Sequence, residues 1–514
     1  RQPMTRPNPL APEIGGQKPH PETLMMGYGY FPGLSEGAVK CPIFQTSTFV
    51  FRSAGEGKRF FELAYGLSEP APQESIGLIY SRLNNPNLEI LEGRLAIWDG
   101  AERALAFSSG MAAISTCLFA TCRPGDVVVH SNPVYGGSDY LLDKVLPQFG
   151  IRTVSFEAGR GTQGLREAVE SARAQGRIAA LYVETPANPT NRLVDLAECA
   201  SLADDLGTQQ GFRPPVIVDN TFLGPIWQRP LEHGCDIVVY SLTKYVGGHS
   251  DVVAGACVGS RQALEPVHLM RTILGTMTDP HTAWLLMRSL ETLELRFRRS
   301  VDNATRVAAF LRDHPKVERV AFLGFLDPDS EEGRLYARQC LAPGATFSFF
   351  VKGGEREAFR VLDELQLVKL AVSLGGTESL ASHPAAMTHS DIEPARRAAL
   401  GITDNMIRVS IGIENPDDLI ADFRQALFIA ELVAVVVGDV EHVHDLVEVR
   451  ADFGLVDGQA EFVQPPGDGV QQPRAVGGED VQDGEAVRGR VVDADLRRRP
   501  VPLAAAGTGA GSPE

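Results

Sequence analysis

The segment VVYSLTKYVGGHSDVVAGA combines an apolar strand pattern with a lysine, Lys244, and a glycine pair shortly after it. A lysine amine at the carboxyl end of a buried strand can form a Schiff base with a carbonyl group, and the nearby Ser241 and Thr243 hydroxyls can hydrogen-bond a phosphate. A lysine that follows a strand is more often an ordinary surface charge. The segment therefore needs support from other parts of the chain.

A carboxylate, a helix start and an aromatic ring could complete such a site. In PVIVDNTF, Asp219 directly follows the apolar residues. A carboxylate buried there needs a partner, such as a protonated pyridine nitrogen, although Asp219 could instead cap the next turn. In SSGMAAISTCLFAT, Ser109, Gly110 and Met111 open a helix whose first N–H groups can bind a phosphate, or the serine is an ordinary N-cap. Tyr135, in NPVYGGSDY, can stack on a cofactor ring, or it is an ordinary core or surface tyrosine.

Strand and helix patterns alternate through the part of the chain that contains these residues. Short apolar runs, VVVH, IRTVSFEA, AALYVET, PVIVDNT and DIVVYSLT, are separated by helical patterns such as DLAECASLADDLG. This alternation predicts an α/β fold with a mostly parallel sheet and crossover helices. Active sites in such sheets lie at the carboxyl ends of the strands, so the lysine and the aspartate are expected to share one crevice.

The chain divides by composition into four parts. Residues 1–80 are rich in Gly, Pro and polar turns, which predicts an extended arm that needs a partner surface. Residues 81–288 form the predicted parallel-sheet domain, and residues 289–430 a smaller α+β domain in which ATFSFFVKGG, LVKLAVSLGG and MIRVSIGIE have strand patterns. Residues 431–514 are dominated by Val, Gly, Asp, Arg and Pro, which is typical of a disordered, low-complexity tail.

Charge and cysteine content narrow the class of function. The chain has 514 residues and a formal net charge of −17, which opposes binding to nucleic acid or to an anionic membrane and favours a small-molecule ligand. Its seven cysteines show no metal-ligand spacing, and no apolar run resembles a signal peptide or a membrane span. We therefore expect reduced thiols, no bound metal and a cytoplasmic location.

Five separated motifs occur in order along the chain: Tyr80-Ser81-Arg82, Ser108-Ser109-Gly110-Met111, Glu184-Thr185-Pro186-Ala187-Asn188-Pro189, Asp219-Asn220-Thr221 and Ser241-Leu242-Thr243-Lys244. Together they resemble the Cys/Met-metabolism family of pyridoxal-phosphate (PLP) enzymes, which includes cystathionine gamma-synthase, cystathionine gamma- and beta-lyases, methionine gamma-lyase and O-acetylhomoserine sulfhydrylase. The resemblance covers roughly residues 20 to 430. It implies a PLP-dependent transferase fold of the aspartate-aminotransferase type, pyridoxal 5'-phosphate as cofactor, and a homotetramer built as a dimer of dimers.

The resemblance also implies a role for each candidate residue. Lys244 holds the cofactor as an internal imine and acts as the base, while Tyr135 stacks on the ring and serves as an acid toward the leaving group. The implied cofactor-binding set is Tyr80, Arg82, Ser109, Gly110, Met111, Tyr135, Asp219, Ser241, Thr243 and Lys244. Within it, Tyr80 and Arg82 reach across from the neighbouring subunit, unless they make a simple intrachain turn contact. The implied substrate-carboxylate set is Asn188, Ser373 and Arg408, with a turn-forming role before Pro189 as the alternative for the asparagine.

The enzymes of this family catalyse different reactions, so the type of reaction is predicted separately. The resemblance predicts a carbon–sulfur lyase that acts by gamma-elimination on a small sulfur amino acid, like methionine or cystathionine gamma-lyase. Gamma-replacement on an activated homoserine is the alternative, and a non-catalytic binding protein is a remote third. Val372 resembles the residue that methionine gamma-lyases and sulfhydrylases have at this position. Gly137, by contrast, occupies the position where methionine gamma-lyases have a cysteine. The segment from Gly57 to Tyr80 is longer than the usual connection and could reshape substrate access.

Overall fold

The computed structural model describes residues 16–71, 74 and 76–437, with side chains described as far as residue 430. Its strands form a seven-stranded and a five-stranded sheet. The first sheet consists of β1 Arg103–Phe107, β2 Val127–Asn132, β3 Arg152–Glu157, β4 Ile178–Glu184, β5 Val216–Asp219, β6 Ile237–Ser241 and β7 Gly255–Gly259.

The seven strands lie in the order β1-β7-β6-β5-β4-β2-β3. From β3 across to β6, neighbouring strands are parallel, and β7 runs antiparallel to both β6 and β1. The central strands β2, β4 and β5 are buried along their whole length, because helices cover both faces of the sheet. The predicted mostly parallel α/β sheet is confirmed.

The helices before and around this sheet follow the predicted alternation. They are α1 Pro21–Leu24, α2 Ala54–Ala64, α3 Pro86–Trp98, α4 Gly110–Thr121, α5 Gly136–Tyr140, α6 Gly161–Arg173, α7 Leu196–Gln210, α8 Gly224–Trp227, α9 Arg261–Leu274 and α10 Pro280–Leu290. The helical pattern after Tyr135 is not one regular helix: α5 leads into a short π-helix, Leu141–Val145, and then a 3-10 helix, Leu146–Phe149. Pro147 has no N–H group to continue a regular α-helix through this point.

The arm at the start of the chain has two parts. Met25, Tyr30 and Cys41 are buried in the main core, and the Trp284 indole donates to the Cys41 carbonyl at 2.9 Å, so this part is anchored to its own chain. Further along, Val50 is 96% exposed, and the face around α2 leaves other apolar side chains in contact with solvent. The second part is therefore the one that lacks an intrachain packing surface.

The second sheet follows α11 Leu293–Arg312 and has the order β10-β11-β12-β9-β8. Its strands are β8 Val317–Ala321, β9 Thr346–Val351, β10 Lys369–Leu370, β11 Leu380–Ser382 and β12 Met406–Ser410. The accompanying helices are α12 Glu331–Gln339, α13 Glu355–Glu364, α14 Pro394–Ala399 and α15 Pro416–Val437. Phe347, Phe349 and the α15 residue Phe423 are fully buried, which places a hydrophobic layer between this sheet and its helices.

Two features of the second sheet differ from expectation. The strand expected over LVKLAVSLGG is only two residues long, and the residues after Leu370 form an irregular segment in which Ser373 contacts Lys244. Helix α15 continues through Val437, past the predicted start of the tail at 431, because its apolar pattern persists. The remainder of that predicted tail, 438–514, lies outside the described residues. Within the described part of the chain, no helix is long and apolar enough to cross a bilayer.

Candidate active site

A cavity of about 210 Å³ opens at the carboxyl ends of β4, β5 and β6, beside the start of α4. It is lined by Ser109, Gly110, Met111, Ile114, Tyr135, Glu184, Asn188, Asp219, Thr221, Phe222, Ser241, Thr243, Lys244, Val253 and Leu374. A larger surface cleft of about 510 Å³ contains none of the predicted site residues, and its arginines at 160 and 192 are ion-paired. The predicted chemistry therefore converges on the smaller cavity.

Lys244 lies in the turn after β6, where its amine donates to the Ser373 hydroxyl at 3.0 Å. Burial, together with the nearby Arg408 cation, lowers the pKa of this amine to about 8. The turn itself is held from α11, since the buried Arg296 guanidinium donates to the carbonyls of Tyr245 and Val246 at 3.0 and 3.3 Å. A fixed, partly unprotonated amine is suited to nucleophilic attack on a carbonyl group.

Asp219 is a buried carboxylate at the end of β5. Its Oδ1 accepts hydrogen bonds from the Thr221 hydroxyl at 2.6 Å and from the Thr221 N–H at 3.1 Å. Burial raises the pKa of Asp219, and these hydrogen bonds oppose that shift. The same Thr221 hydroxyl accepts from the Ser241 N–H at 3.0 Å, so one side chain connects the ends of β5 and β6. A cationic group in the cavity would pair with this buried carboxylate, which forms no ion pair within the described part of the chain.

The start of α4 is packed directly against the end of β6. Ser109 is the N-cap, and its hydroxyl accepts from the Ala112 N–H at 2.9 Å, as an ordinary serine cap does. A Cβ atom on Gly110 would lie 2.9 Å from the Ser241 Cβ, so glycine is needed for this approach. The first N–H groups of the helix have no intrahelical acceptor and border the cavity, which makes them suitable for an anion.

The two predicted hydroxyl groups on β6 and its turn differ in availability. The Thr243 hydroxyl donates to the Ala254 carbonyl at 3.2 Å and accepts from the Ala254 N–H at 3.0 Å, so it closes the turn within its own chain. Ser241 lines the same cavity, and its hydroxyl has no hydrogen-bond partner within the described part of the chain. Ser241 is therefore the freer donor for a phosphate.

The second sheet contributes an arginine from β12. Arg408 is buried, and its guanidinium donates to the Asn188 side-chain oxygen at 3.1 Å and to the Ser373 carbonyl at 3.2 Å. Burial lowers its pKa to about 10, but the group is still a cation at neutral pH. Arg408 thus contacts both of the other predicted carboxylate-binding residues. Because Ser373 also contacts Lys244, this group lies directly beside the lysine.

Tyr80 and Arg82 do not line the cavity of their own chain. Tyr80 is 40% exposed, and the Arg82 guanidinium lies 6.0 Å from the centre of the Tyr80 ring. Arg82 also donates to the Thr272 carbonyl at 2.6 Å. The single chain therefore leaves both side chains outside the site that they were predicted to serve.

Glu184 is a site residue that belongs to one of the five sequence motifs but was not predicted to have a role in the site. It ends β4 directly beside Asp219 on β5, is only 5% exposed and lines the cavity. A signal is present in the sequence, because Glu184 is a carboxylate at the end of an apolar strand run, as Asp219 is. Its neighbours Thr185 and Pro186 have the pattern of a turn, which masks the strand end.

These residues fit PLP as a group. The free N–H groups of α4 and the Ser241 hydroxyl can hold a phosphate, Asp219 can face a protonated ring nitrogen, and Lys244 supplies an amine for covalent attachment. The crowding at Gly110 shows that the helix start is held close to β6, as a phosphate cradle requires. No cluster of three or more metal-ligating side chains occurs among the described residues.

A parallel sheet whose strand ends hold a buried lysine, a buried carboxylate and an open helix start defines the class of PLP-dependent α/β enzymes. The model of the Cys/Met metabolism PLP-dependent enzyme family matches residues 22–428. The chain belongs to this family. The predicted fold type, cofactor and enzymatic nature are confirmed.

Curated relatives and solved structures agree with that assignment. L-methionine gamma-lyase of Fusobacterium nucleatum subsp. polymorphum is 39% identical over 76% of this chain and 94% of that protein. Cystathionine gamma-lyase of Bacillus subtilis is 38% identical over 79% of this chain and 98% of that protein. The crystal structure of cystathionine gamma-synthase from Xanthomonas oryzae pv. oryzae, in complex with aminoacrylate and cysteine, has a TM-score of 0.71 and 34% identity, covering 81% of this chain and all of that one.

Proposed function

We propose that this chain is a PLP-dependent carbon–sulfur lyase that acts by gamma-elimination on a small sulfur amino acid such as methionine. The observation that carries the choice of substrate is the apolar rim contributed by this chain. Val253 and Leu374 line the cavity, and the adjacent Val372 is apolar and 60% exposed. A thioether without a second charged end matches such a rim, whereas the distal amino and carboxyl groups of cystathionine require polar partners.

In this proposal each site residue has a defined task. Bound PLP supplies the electron sink for carbanion chemistry. Lys244 anchors the cofactor covalently and afterwards moves protons as a base. Asp219 keeps the ring nitrogen protonated, and Tyr135 covers the ring and serves as the acid toward the leaving sulfur. The phosphate is held by Ser109, Gly110, Met111 and Ser241, with Thr243 closing the turn beside them, and the substrate carboxylate is held by Asn188, Ser373 and Arg408.

The same assignment of tasks predicts a clear phenotype for the lysine. Lys244→Ala should abolish turnover, because both the anchor and the base are lost, while the phosphate-binding residues still retain PLP non-covalently. Turnover is measured as release of 2-oxobutanoate and ammonia from methionine, and retention of PLP by dialysis followed by absorbance. Full activity in this variant would contradict the assigned roles.

Gamma-replacement is the second candidate. It is favoured by the similarity to cystathionine gamma-synthase and by Gly137, which has no side chain beside Tyr135 and Met111. A product assay separates the two reactions, using methionine, cystathionine and O-acylated homoserine, each with and without a thiol. Release of 2-oxobutanoate and ammonia from methionine alone supports elimination. A thioether formed only from O-acylated homoserine together with a thiol contradicts it and supports replacement.

We further propose that the chain forms a homotetramer in the cytoplasm. In each subunit, residues 81–288 and 289–430 form the two proposed domains. All seven cysteines are free and buried, which suits a reducing compartment. The exposure of Tyr80 and the exposed apolar face around Val50 support a neighbouring subunit on the arm.

Subunit complementation tests whether Tyr80 and Arg82 serve the neighbouring site. Lys244→Ala and Arg82→Ala chains, each inactive alone, are refolded together. Mixed assemblies should regain activity, because some sites then combine an intact lysine with an intact arginine from the other chain. If mixing restores nothing although both variants assemble, Arg82 acts within its own chain and the proposal fails.

A further inference from the structure

Glu184 occupies the junction between the cofactor side and the substrate side of the cavity. It is the last residue of β4, pairs in register with Asp219, and its own N–H donates to the Ser131 hydroxyl at 2.9 Å. The backbone on both sides is therefore fixed by the sheet. The side chain projects from this rigid base into the lining of the cavity.

Both carboxylate oxygens of Glu184 accept backbone hydrogen bonds from separate segments. Oε2 accepts from the Tyr135 N–H at 2.7 Å, at the junction of β2 and α5, and Oε1 accepts from the Asn188 N–H at 2.8 Å. Each of these short bonds uses a lone pair on one carboxyl oxygen, so a single side chain holds two separate backbone segments. Burial and the neighbouring Asp219 raise the pKa of Glu184 well above its usual range, while the two N–H groups and Arg408 oppose that shift.

These bonds connect to the carboxylate-binding group. The Asn188 side chain accepts from Arg408, Arg408 donates to the Ser373 carbonyl, and the Ser373 hydroxyl accepts from Lys244. An unbroken series of hydrogen bonds thus leads from the Tyr135 backbone to the lysine amine. Glu184 joins Tyr135 to Asn188 in this series, and the buried His389 lies beside the same two segments, with its Nε2 3.3 Å from the Val134 carbonyl oxygen.

We propose that Glu184 is a positioning residue that fixes the Tyr135 and Asn188 backbones relative to each other and thereby aligns the amino-acid carboxylate with the cofactor ring. This inference rests on the proposed substrate role of Asn188 and Arg408. It does not depend on the choice between elimination and replacement, because both reactions bind an amino acid in the same way.

The direct test measures the two hydrogen bonds. Glu184→Gln keeps the size of the side chain but offers only one carbonyl oxygen, so one of the two N–H groups loses its acceptor. Amide hydrogen–deuterium exchange of PLP-loaded protein should become faster in peptides that contain Tyr135 or Asn188. The control is Glu157→Gln, because Glu157 likewise ends a strand, β3, but pairs with Arg160 at 2.8 Å outside the cavity. Unchanged exchange in the Glu184 variant overturns the inference.

The functional test measures binding of methionine by the change in PLP absorbance, which requires no turnover. Glu184→Gln should weaken binding about 10- to 100-fold, as expected when a buried N–H group is left without an acceptor, and Glu157→Gln should leave it unchanged. If Glu184→Gln does not fold, Glu184→Asp replaces it, since the shorter acid keeps the carboxyl group but cannot reach both N–H groups.

A double-mutant cycle shows whether Glu184 acts through Asn188. Asn188→Ala alone should weaken methionine binding, and the double variant should lose less than the sum of the two single effects, because part of the Glu184 effect passes through the Asn188 side chain. Fully additive effects overturn the inference. The positioning role and the carboxylate site can fail separately: if Asn188→Ala and Arg408→Ala weaken binding but Glu184→Gln does not, only the positioning role is wrong. If neither Asn188→Ala nor Arg408→Ala changes binding, the proposed carboxylate site is wrong, and the inference falls with it.

Discussion

Gly375 lies at the point where the second sheet meets the lysine turn. Its φ angle is +75°, and a Cβ atom placed on it would lie 2.6 Å from the Tyr245 nitrogen and 3.0 Å from the Lys244 carbonyl carbon. The contacting atoms are backbone and cannot rotate away. Gly375→Ala should therefore move the lysine turn and the Ser373 hydroxyl apart, in addition to straining the backbone.

The two contributions can be separated in magnitude. A left-handed backbone costs a residue with a Cβ about 1–2 kcal/mol, and crowding of a packed interior adds about 1–3 kcal/mol. Gly375→Ala should thus destabilise the protein by about 2–5 kcal/mol, the sum of both contributions. At about 2 °C per kcal/mol for a large chain, the melting temperature should fall by about 4–10 °C.

Gly401→Ala is the matched control. Gly401 has nearly the same φ, +78°, but a Cβ atom on it would meet nothing within 4 Å. It should lose only the backbone contribution, about 2–4 °C. Thermal unfolding of PLP-loaded protein followed by circular dichroism gives both values, and the absorbance of lysine-bound PLP reports the lysine turn. Equal melting temperatures for the two variants, with cofactor attachment intact in both, would refute the crowding argument.

Buried ionisable side chains lead to three more expected outcomes. Because the Lys244 amine has a pKa of about 8, the rate at which PLP attaches to cofactor-free protein should increase with pH and level off above that value. Arg408→Met should shift the midpoint of this pH dependence upward, as measured by stopped-flow absorbance. An unshifted midpoint contradicts the electrostatic role of Arg408. Asp99 accepts a hydrogen bond from the Tyr240 hydroxyl at 2.6 Å, and burial raises the pKa of Asp99 from 3.8 to about 7. The protonated Asp99 therefore stabilises the folded protein below its ordinary pKa, and this contribution is lost as pH rises through about 7. Asp99→Asn keeps an acceptor and should melt higher than wild type at about pH 8, with a flatter pH profile of melting temperature; a lower melting temperature there contradicts this reasoning. Arg296→Met leaves buried carbonyls without a donor and should lower the free energy of unfolding in urea by about 1–3 kcal/mol, and no change would show that these bonds contribute nothing.

The sequence by itself identifies the residues at the strand ends. Apolar runs of four to eight residues predict buried strands, and parallel strands must end on one edge, so the sequence predicts that Asp219, Ser241 and Lys244 share one crevice. The serine cap and the glycine behind it similarly predict the start of α4, because capping depends on adjacent residues. Local chemistry of this kind is determined within a few residues of the chain.

The tertiary structure decides which distant groups meet. Ser373 contacts Lys244 across 129 residues, and Arg408 contacts Asn188 across 220, separations at which no local pattern specifies a partner. The segment around Ser373 has the composition of a strand, yet it is irregular, because Gly375 packs against the lysine turn with a left-handed backbone. The sequence likewise does not indicate that Glu184 connects two segments. Its two carboxyl oxygens accept hydrogen bonds from backbone N–H groups that come close to it only in the folded chain.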